Sequence, residues 1–179
     1  MSAPMLPEPA PVASPAPPAA IRYGLTPMAE ATAMDGLAFL RAMLEGRLPA
    51  PPVCEVAAIR MVSAEPGHVV FEGDPDARFY NPLGTIHGGW TSTLMDTVMA
   101  CAVHSVLKAG QAYTTAEFKV HFVRPVLPGT GVIRAEGRIV HAGGRIATSE
   151  GRMTDTRGKL LAHGTETCFV FEAPGAGAR

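Results

Sequence analysis

The chain has 179 residues, a formal net charge of -1 and 47% apolar residues, which fits one globular domain with an ordinary core and leaves a second domain cramped. The near balance of charge, with no basic stripe, argues against a direct role on nucleic acid, whose phosphates need clustered lysine and arginine. The three cysteines, Cys54, Cys101 and Cys168, are odd in number and widely spaced, so they read as buried thiols of a cytoplasmic protein rather than a disulfide framework or metal clamp.

Met1 to Ala20 is dominated by proline and alanine and lacks the basic start and unbroken apolar run of a secretory signal. Residues 1–27 are expected to form a disordered Pro/Ala-rich tail, residues 28–171 the folded domain, and residues 172–179 a C-terminal tail. From Met28 the composition changes. Met34, Leu37, Leu40, Met43 and Leu44 recur at helical spacing and predict a short amphipathic helix, ended by Leu48-Pro49-Ala50-Pro51-Pro52. Val53 to Val62 and His68 to Glu72 are β-branched and apolar around the turn Glu65-Pro66-Gly67, so they read as a hairpin.

The stretch Asn81 to Leu107 couples a polar turn to the longest apolar run of the chain, which predicts a helix of about 20 residues buried on all sides. The helix carries Asp96, His104 and three threonines, Thr91, Thr93 and Thr97, which favours burial in protein over a membrane span. Lys108-Ala109-Gly110 supplies the stop. Four strand candidates follow, Ala112 to Arg124, Gly131 to His141, Ile146 to Asp155 and Leu160 to Phe171, read as consecutive hairpins of a meander. The fold class is therefore α+β: one long central helix wrapped by an antiparallel sheet of about six strands, with the N-terminal amphipathic helix docked on it.

Asp96, two turns into the apolar helix, should lose hydration and be driven toward the pKa a general base needs, unless it turns outward or pairs with Thr93 or Thr97. Thr85-Ile86-His87-Gly88-Gly89 gathers unpaired N–H groups at a helix start where a carbonyl or phosphate oxygen can approach, although a glycine pair also serves simple packing. The two features lie about 12 Å apart along the helix axis, too far for one carbonyl to meet both, so joint action requires two chains related by a two-fold axis. His87 can orient the turn or contact substrate, Trp90 can line an acyl pocket or pack, and Arg124, Arg138 and Arg145 can bind phosphate or remain solvated. No histidine or carboxylate spacing suggests a metal, and no serine has a nucleophile context.

Asn81-Pro82-Leu83-Gly84-Thr85-Ile86-His87-Gly88-Gly89 followed by Asp96 resembles the signature of hot-dog-fold thioesterases of the phenylacetate-pathway (PaaI-like) type. Ala112 to Pro125 is similar to that family's strand after the helix, and the likeness extends from about Asp35 to Phe171. The resemblance implies hydrolysis of an acyl-coenzyme A thioester with no cofactor. By it, the Gly88 N–H and the Asn81 amide hold the carbonyl, Asp96 of the facing subunit attacks or activates water, Thr115 or its neighbour Thr114 orients that water, and His87 supports the turn. Gly89, Trp90, Arg124 and Arg145 are then candidates for binding substrate. A homodimer with shared sites, and a homotetramer built from it, is the implied assembly. A hot-dog hydratase or dehydratase using His87 and Asp96, and a non-catalytic acyl-coenzyme A binding module, are the rival readings.

Overall fold

The computed structural model describes residues 21–174. Residues 21–24, within the stretch expected as a tail, are docked instead: Tyr23 bridges Ala50, and the Arg22 guanidinium donates to the carbonyls of Gly46 and Arg47. Residues 25–27 lead on to the first helical turn, with Pro27 at its N-cap, whereas residues 1–20 of that expectation lie outside the described residues, as do residues 175–179. A single helical turn, α1 (Met28–Ala31), leads to the amphipathic helix α2 (Gly36–Leu44). Asp35 caps α2 by accepting the Ala38 N–H at 2.8 Å, and Leu40 and Ala42 are fully buried.

The first hairpin is shorter than its sequence pattern suggests. Pro52 occupies the first turn of a short helix, α3 (Pro52–Val56), where its fixed φ favours helix and its missing N–H costs nothing. Ala58, at φ 53°, turns the chain into β1 (Ile59–Glu65), which pairs with β2 (His68–Gly73). The β-branched residues at 53 and 56 thus sit in a helix because the prolines before them decide the local geometry.

The central helix α4 (Gly88–His104) has 17 residues, less than the expected length. It stops where the Ser105 hydroxyl donates to the Ala102 carbonyl at 2.7 Å and accepts the Gly67 N–H at 2.8 Å. Nor is it buried all round: Leu94, Met95, Val98 and Met99 are sealed, whereas Thr93, Asp96, Thr97 and Cys101 are only partly covered.

The remaining strands are β3 (Gln111–Phe122), β4 (Ile133–Ala142), β5 (Ile146–Thr154) and β6 (Leu160–Glu172). The sheet is antiparallel throughout in the order β1-β2-β4-β5-β6-β3, so only β4, β5 and β6 form the expected meander. β3 pairs with β6 and β4 with β2, because residues 123–132, with Pro125 and Pro128, are too many and too poor in ladder donors for a tight hairpin. The sheet curls around α4, which packs on β2, β4, β5, β6 and β3, while α2 closes over β1 and α4. Leu94, Met95, Val98 and Met99 meet Val69, Phe71, Ile133, Ala135 and Met153 in the main core. Each fully buried side chain of this size contributes about 1.5–3 kcal/mol.

Candidate active site

The turn before α4 is held by one side chain. Asn81 Oδ1 accepts the N–H groups of Leu83 (2.9 Å) and Thr85 (3.2 Å), and its Nδ2 donates to Thr85 Oγ1 at 2.8 Å. Gly84 closes the turn at φ 77°, a left-handed conformation that glycine adopts freely. The Ile86 N–H then bonds to the Val126 carbonyl and the His87 N–H to Phe79, which fixes the entry to α4 against the β3–β4 linker.

His87 is the N-cap residue, and its Nδ1 accepts the Gly89 N–H at 2.8 Å. The ring therefore satisfies one of the unpaired donors of the helix start and holds the turn. The Gly88 N–H meets no acceptor among the described residues, and the Phe122 ring lies where a Gly88 side chain would be, 3.4 Å from an added Cβ. An N–H at the positive end of a 17-residue helix, beside an aromatic wall and without side-chain obstruction, suits an oxygen that gains negative charge.

Asp96 faces β3. Thr115 Oγ1 stands 3.5 Å from Asp96 Oδ1 and 2.8 Å from Glu166 Oε1, and the Cys168 thiol lies 3.2 Å from the same Glu166 oxygen. Strand alternation settles the neighbouring pair of threonines geometrically: Thr115 points under α4, while Thr114 is exposed on the opposite face. Burial raises the Asp96 carboxyl above the ordinary range, with the Thr115 hydrogen bond pulling the other way. Burial likewise pushes Glu166 up to about 7, opposed by Cys168 and Thr115 and reinforced by the charge of Asp96. The Cys168 thiol is pushed up to about 12 by burial and by Glu166, so it is no thiolate nucleophile at neutral pH.

Other candidates fall elsewhere. Trp90, expected against substrate, is a core residue: its indole N–H donates to the Ala57 carbonyl at 2.7 Å and its ring packs on Gly73 and Phe79. Gly89 is exposed at the helix start. Arg124 donates to the Leu160 carbonyl at the start of β6, at the same end of the fold as the α4 N-terminus. The Arg145 carbonyl accepts the Val170 N–H near the other end of β6, so these two arginines stand roughly 30 Å apart and cannot share one phosphate within a chain. Arg138 lies exposed on β4, within 3.6 Å of Glu136.

Sequence reasoning missed Glu166 and Phe122. A signal for Glu166 was present: Ala162, Gly164, Cys168 and Val170 share its parity on β6, so an ionisable residue occupies an inward position. No group of histidine, cysteine, aspartate or glutamate with metal-binding geometry occurs among the described residues, and no helix there is long and apolar enough to cross a membrane.

Comparison with known proteins agrees with this fold. Residues 83–162 match the model of the thioesterase superfamily, a span running from the turn through α4 and β3 to β6. Acyl-coenzyme A thioesterase 13 of Homo sapiens is 28% identical over 109 residues, which is 61% of this chain and 77% of that protein. Among solved structures, a phenylacetic acid degradation-related protein from Ralstonia eutropha JMP134 superposes with a TM-score of 0.67 at 26% identity, covering 73% of this chain and 98% of that one. The smu.793 protein of Streptococcus mutans, bound to acetyl CoA, does so with a TM-score of 0.58 at 26% identity, covering 64% and 89%. Residues 83–162 thus match the thioesterase superfamily, and the fold around them is the hot-dog fold of PaaI-like thioester hydrolases.

Proposed function

We propose that the chain hydrolyses acyl-coenzyme A esters bearing an aryl or medium-chain acyl group, in sites shared between two subunits. The observation that carries this reading is Asp96, a half-buried carboxyl held toward Thr115 on the same helix whose first N–H, at Gly88, is open. The thioester carbonyl accepts the Gly88 N–H of one subunit, with Asn81 supporting or joining that contact. Asp96 of the other subunit takes a proton from water as its oxygen attacks the carbonyl carbon, or attacks that carbon directly to form an acyl–Asp96 anhydride that water then hydrolyses. The tetrahedral oxyanion collapses, the C–S bond breaks, and the coenzyme A sulfur leaves as a thiolate that takes up a proton.

Two cavities support the substrate class. One, of about 430 Å³, is enclosed by Met43, Leu44, Met61 and Phe71 with Thr97 and Cys101 of α4, and its apolar walls suit an acyl group. The other is an open cleft lined by Arg124, Arg157 and Lys159, cations suited to the phosphates of a nucleotide. The names of the relatives, an acyl-coenzyme A thioesterase and a protein holding acetyl CoA, point the same way. The two-chain site draws support from α4 itself, which is continuous from Gly88 past Asp96 and so keeps the two groups about 12 Å apart within one chain. A second copy also suits the β3 edge of the sheet, where Phe118, Phe122 and Val123 are exposed. Cys54, Cys101 and Cys168 are unpaired thiols, in keeping with a cytoplasmic site of action. The hydratase alternative is weakened because His87 Nδ1 already serves the helix cap.

The test is free-thiol release from a panel of aromatic and aliphatic acyl-coenzyme A esters by the wild type and Asp96→Asn side by side. Turnover by the wild type with a loss of about 10²-fold or more in the variant supports the reading. Near-wild-type turnover by Asp96→Asn removes Asp96 from the chemistry, and sedimentation of the active enzyme as a monomer removes the shared site.

A further inference from the structure

Beneath α4, the reaction described above leaves Glu166 without a task. Its side chain is 1% exposed, and it faces Ser149 across the β5–β6 ladder, a residue also 1% exposed. Glu166 Oε2 and Ser149 Oγ are both buried without a partner among the described residues. The groups around the carboxyl are Asp96 and Cys101 on α4, Tyr113 and Thr115 on β3, Ser149 on β5 and Cys168 on β6. None of these is a cation: only the hydrogen bonds from Thr115 and Cys168 favour the ionised form, and burial outweighs them.

Thr115 has one hydroxyl proton and two carboxyl groups to choose between, Glu166 at 2.8 Å and Asp96 at 3.5 Å. If Glu166 is ionised, the proton goes to the nearer oxygen and Asp96 meets only hydroxyl lone pairs. If Glu166 carries a proton, it donates to Thr115 Oγ1, and the Thr115 proton is released to point at Asp96. We propose that Glu166 is a positioning residue for the thioesterase reaction: its protonated carboxyl donates to Thr115, which in turn donates to the Asp96 carboxylate, and loss of the Glu166 proton lets Asp96 go. The inference rests on Asp96 being the reacting carboxylate.

The consequence is a second limb in the pH profile. Activity rises as Asp96 ionises and falls as Glu166 does; because the two carboxyls interact, the limbs report the pair rather than either residue alone. With burial holding Glu166 at about 7, the falling limb lies in the neutral to mildly alkaline range.

The test is kcat against pH, from blank-corrected thiol release, for the wild type, Glu166→Gln, Thr115→Val and Asp96→Asn, each checked for a cooperative unfolding transition. The wild type is expected to lose about tenfold between about pH 6 and about pH 9, the kinetic equivalent of one hydrogen bond to a charged group. The amide of Glu166→Gln donates to Thr115 at every pH, so that variant is expected to lose the falling limb. Thr115→Val breaks the link and is expected to show a lowered, level rate across the same range. A purely structural Glu166 would lower kcat by one factor at all pH values and leave the limb in place. A wild type with no alkaline limb overturns the proposal, as does a limb that persists in Glu166→Gln. Should that variant fail to fold, a limb persisting in Thr115→Val overturns it. Asp96→Asn separates the two levels: an inactive Asp96→Asn with an unchanged limb in Glu166→Gln rejects only the relay, whereas an active Asp96→Asn rejects the reading beneath it.

Discussion

Gly137 of β4 lies directly under the Val98 carbonyl of α4, so close that a methyl group on its α-carbon would come within 2.2 Å of that oxygen. Its ladder partner, Gly151 of β5, stands where an added methyl would come to 2.8 Å of the Met95 and Met99 side chains. The two glycines form a trough in which the helix sits. Gly137→Ala must push backbone away and is expected to cost about 3 kcal/mol or more, while Gly151→Ala meets flexible methionines and costs about 1–2 kcal/mol. Urea unfolding of the two variants checks the order. Equal losses would mean that the helix is not seated on the Gly137 backbone.

Trp90 yields a prediction that separates core from pocket. Trp90→Phe keeps most of the ring but leaves the Ala57 carbonyl without the indole donor, at a cost of about 1–3 kcal/mol in stability. The order of preference among acyl-coenzyme A esters is expected to stay the same. A change in that order, measured on the folded variant, would bring Trp90 back to the substrate.

Asn81 poses a different question, since its amide already serves the turn. Asn81→Asp retains an acceptor for the Leu83 and Thr85 N–H groups and removes the amide donor. If Asn81 also polarises the thioester, Asn81→Asp is expected to lose about 10²-fold in kcat/KM with an unfolding midpoint close to wild type. Retained turnover would confine Asn81 to holding the turn.

His104 sits between the stacked ring of Phe39, 5.1 Å away, and the edge of Tyr113, 5.4 Å away. Burial pushes it down to about 4, from an ordinary value of 6.5. Below its ordinary value the unfolded chain binds a proton that the folded chain refuses, so this residue removes stability as the pH falls toward 4, by about 3 kcal/mol at most. His104→Phe keeps an aromatic ring in the stack and abolishes the titration. The stability difference between variant and wild type should therefore grow toward the variant from about pH 7 to about pH 5, and parallel curves would show that His104 charges freely in the fold.

The elements of the fold that read correctly from the sequence are those decided locally. The spacing of Leu37, Leu40 and Met43 specifies α2, and the turn Glu65-Pro66-Gly67 marks a real hairpin end. The errors arise where a distant partner decides. The position of β3 beside β6 depends on ladder bonds between residues about 50 apart, such as Thr115 with Cys168, which no periodicity encodes. The site divides in the same way. Asn81, His87, Gly88 and Asp96 lie in one stretch whose spacing carries their geometry. Glu166 belongs to the site only through Thr115, and that contact exists only once the sheet has closed.

The strand order also dictates when the site can come into being. β3 is synthesised directly after α4, but the strand it pairs with, β6, is the last of the fold to be made. Until residues 160–172 are available, β3 has an open ladder on both sides and β5 an open ladder on one, and Asp96 and Thr115 remain in water. The pairing of β3 with β6 is thus a late, long-range step, slowed by the entropy of closing the loop between them. A chain shortened before Leu160 would not be a weaker hydrolase. It would be an unfinished sheet with sticky edges, and the order of synthesis makes completion of the fold and creation of the Asp96–Thr115–Glu166 cluster a single event.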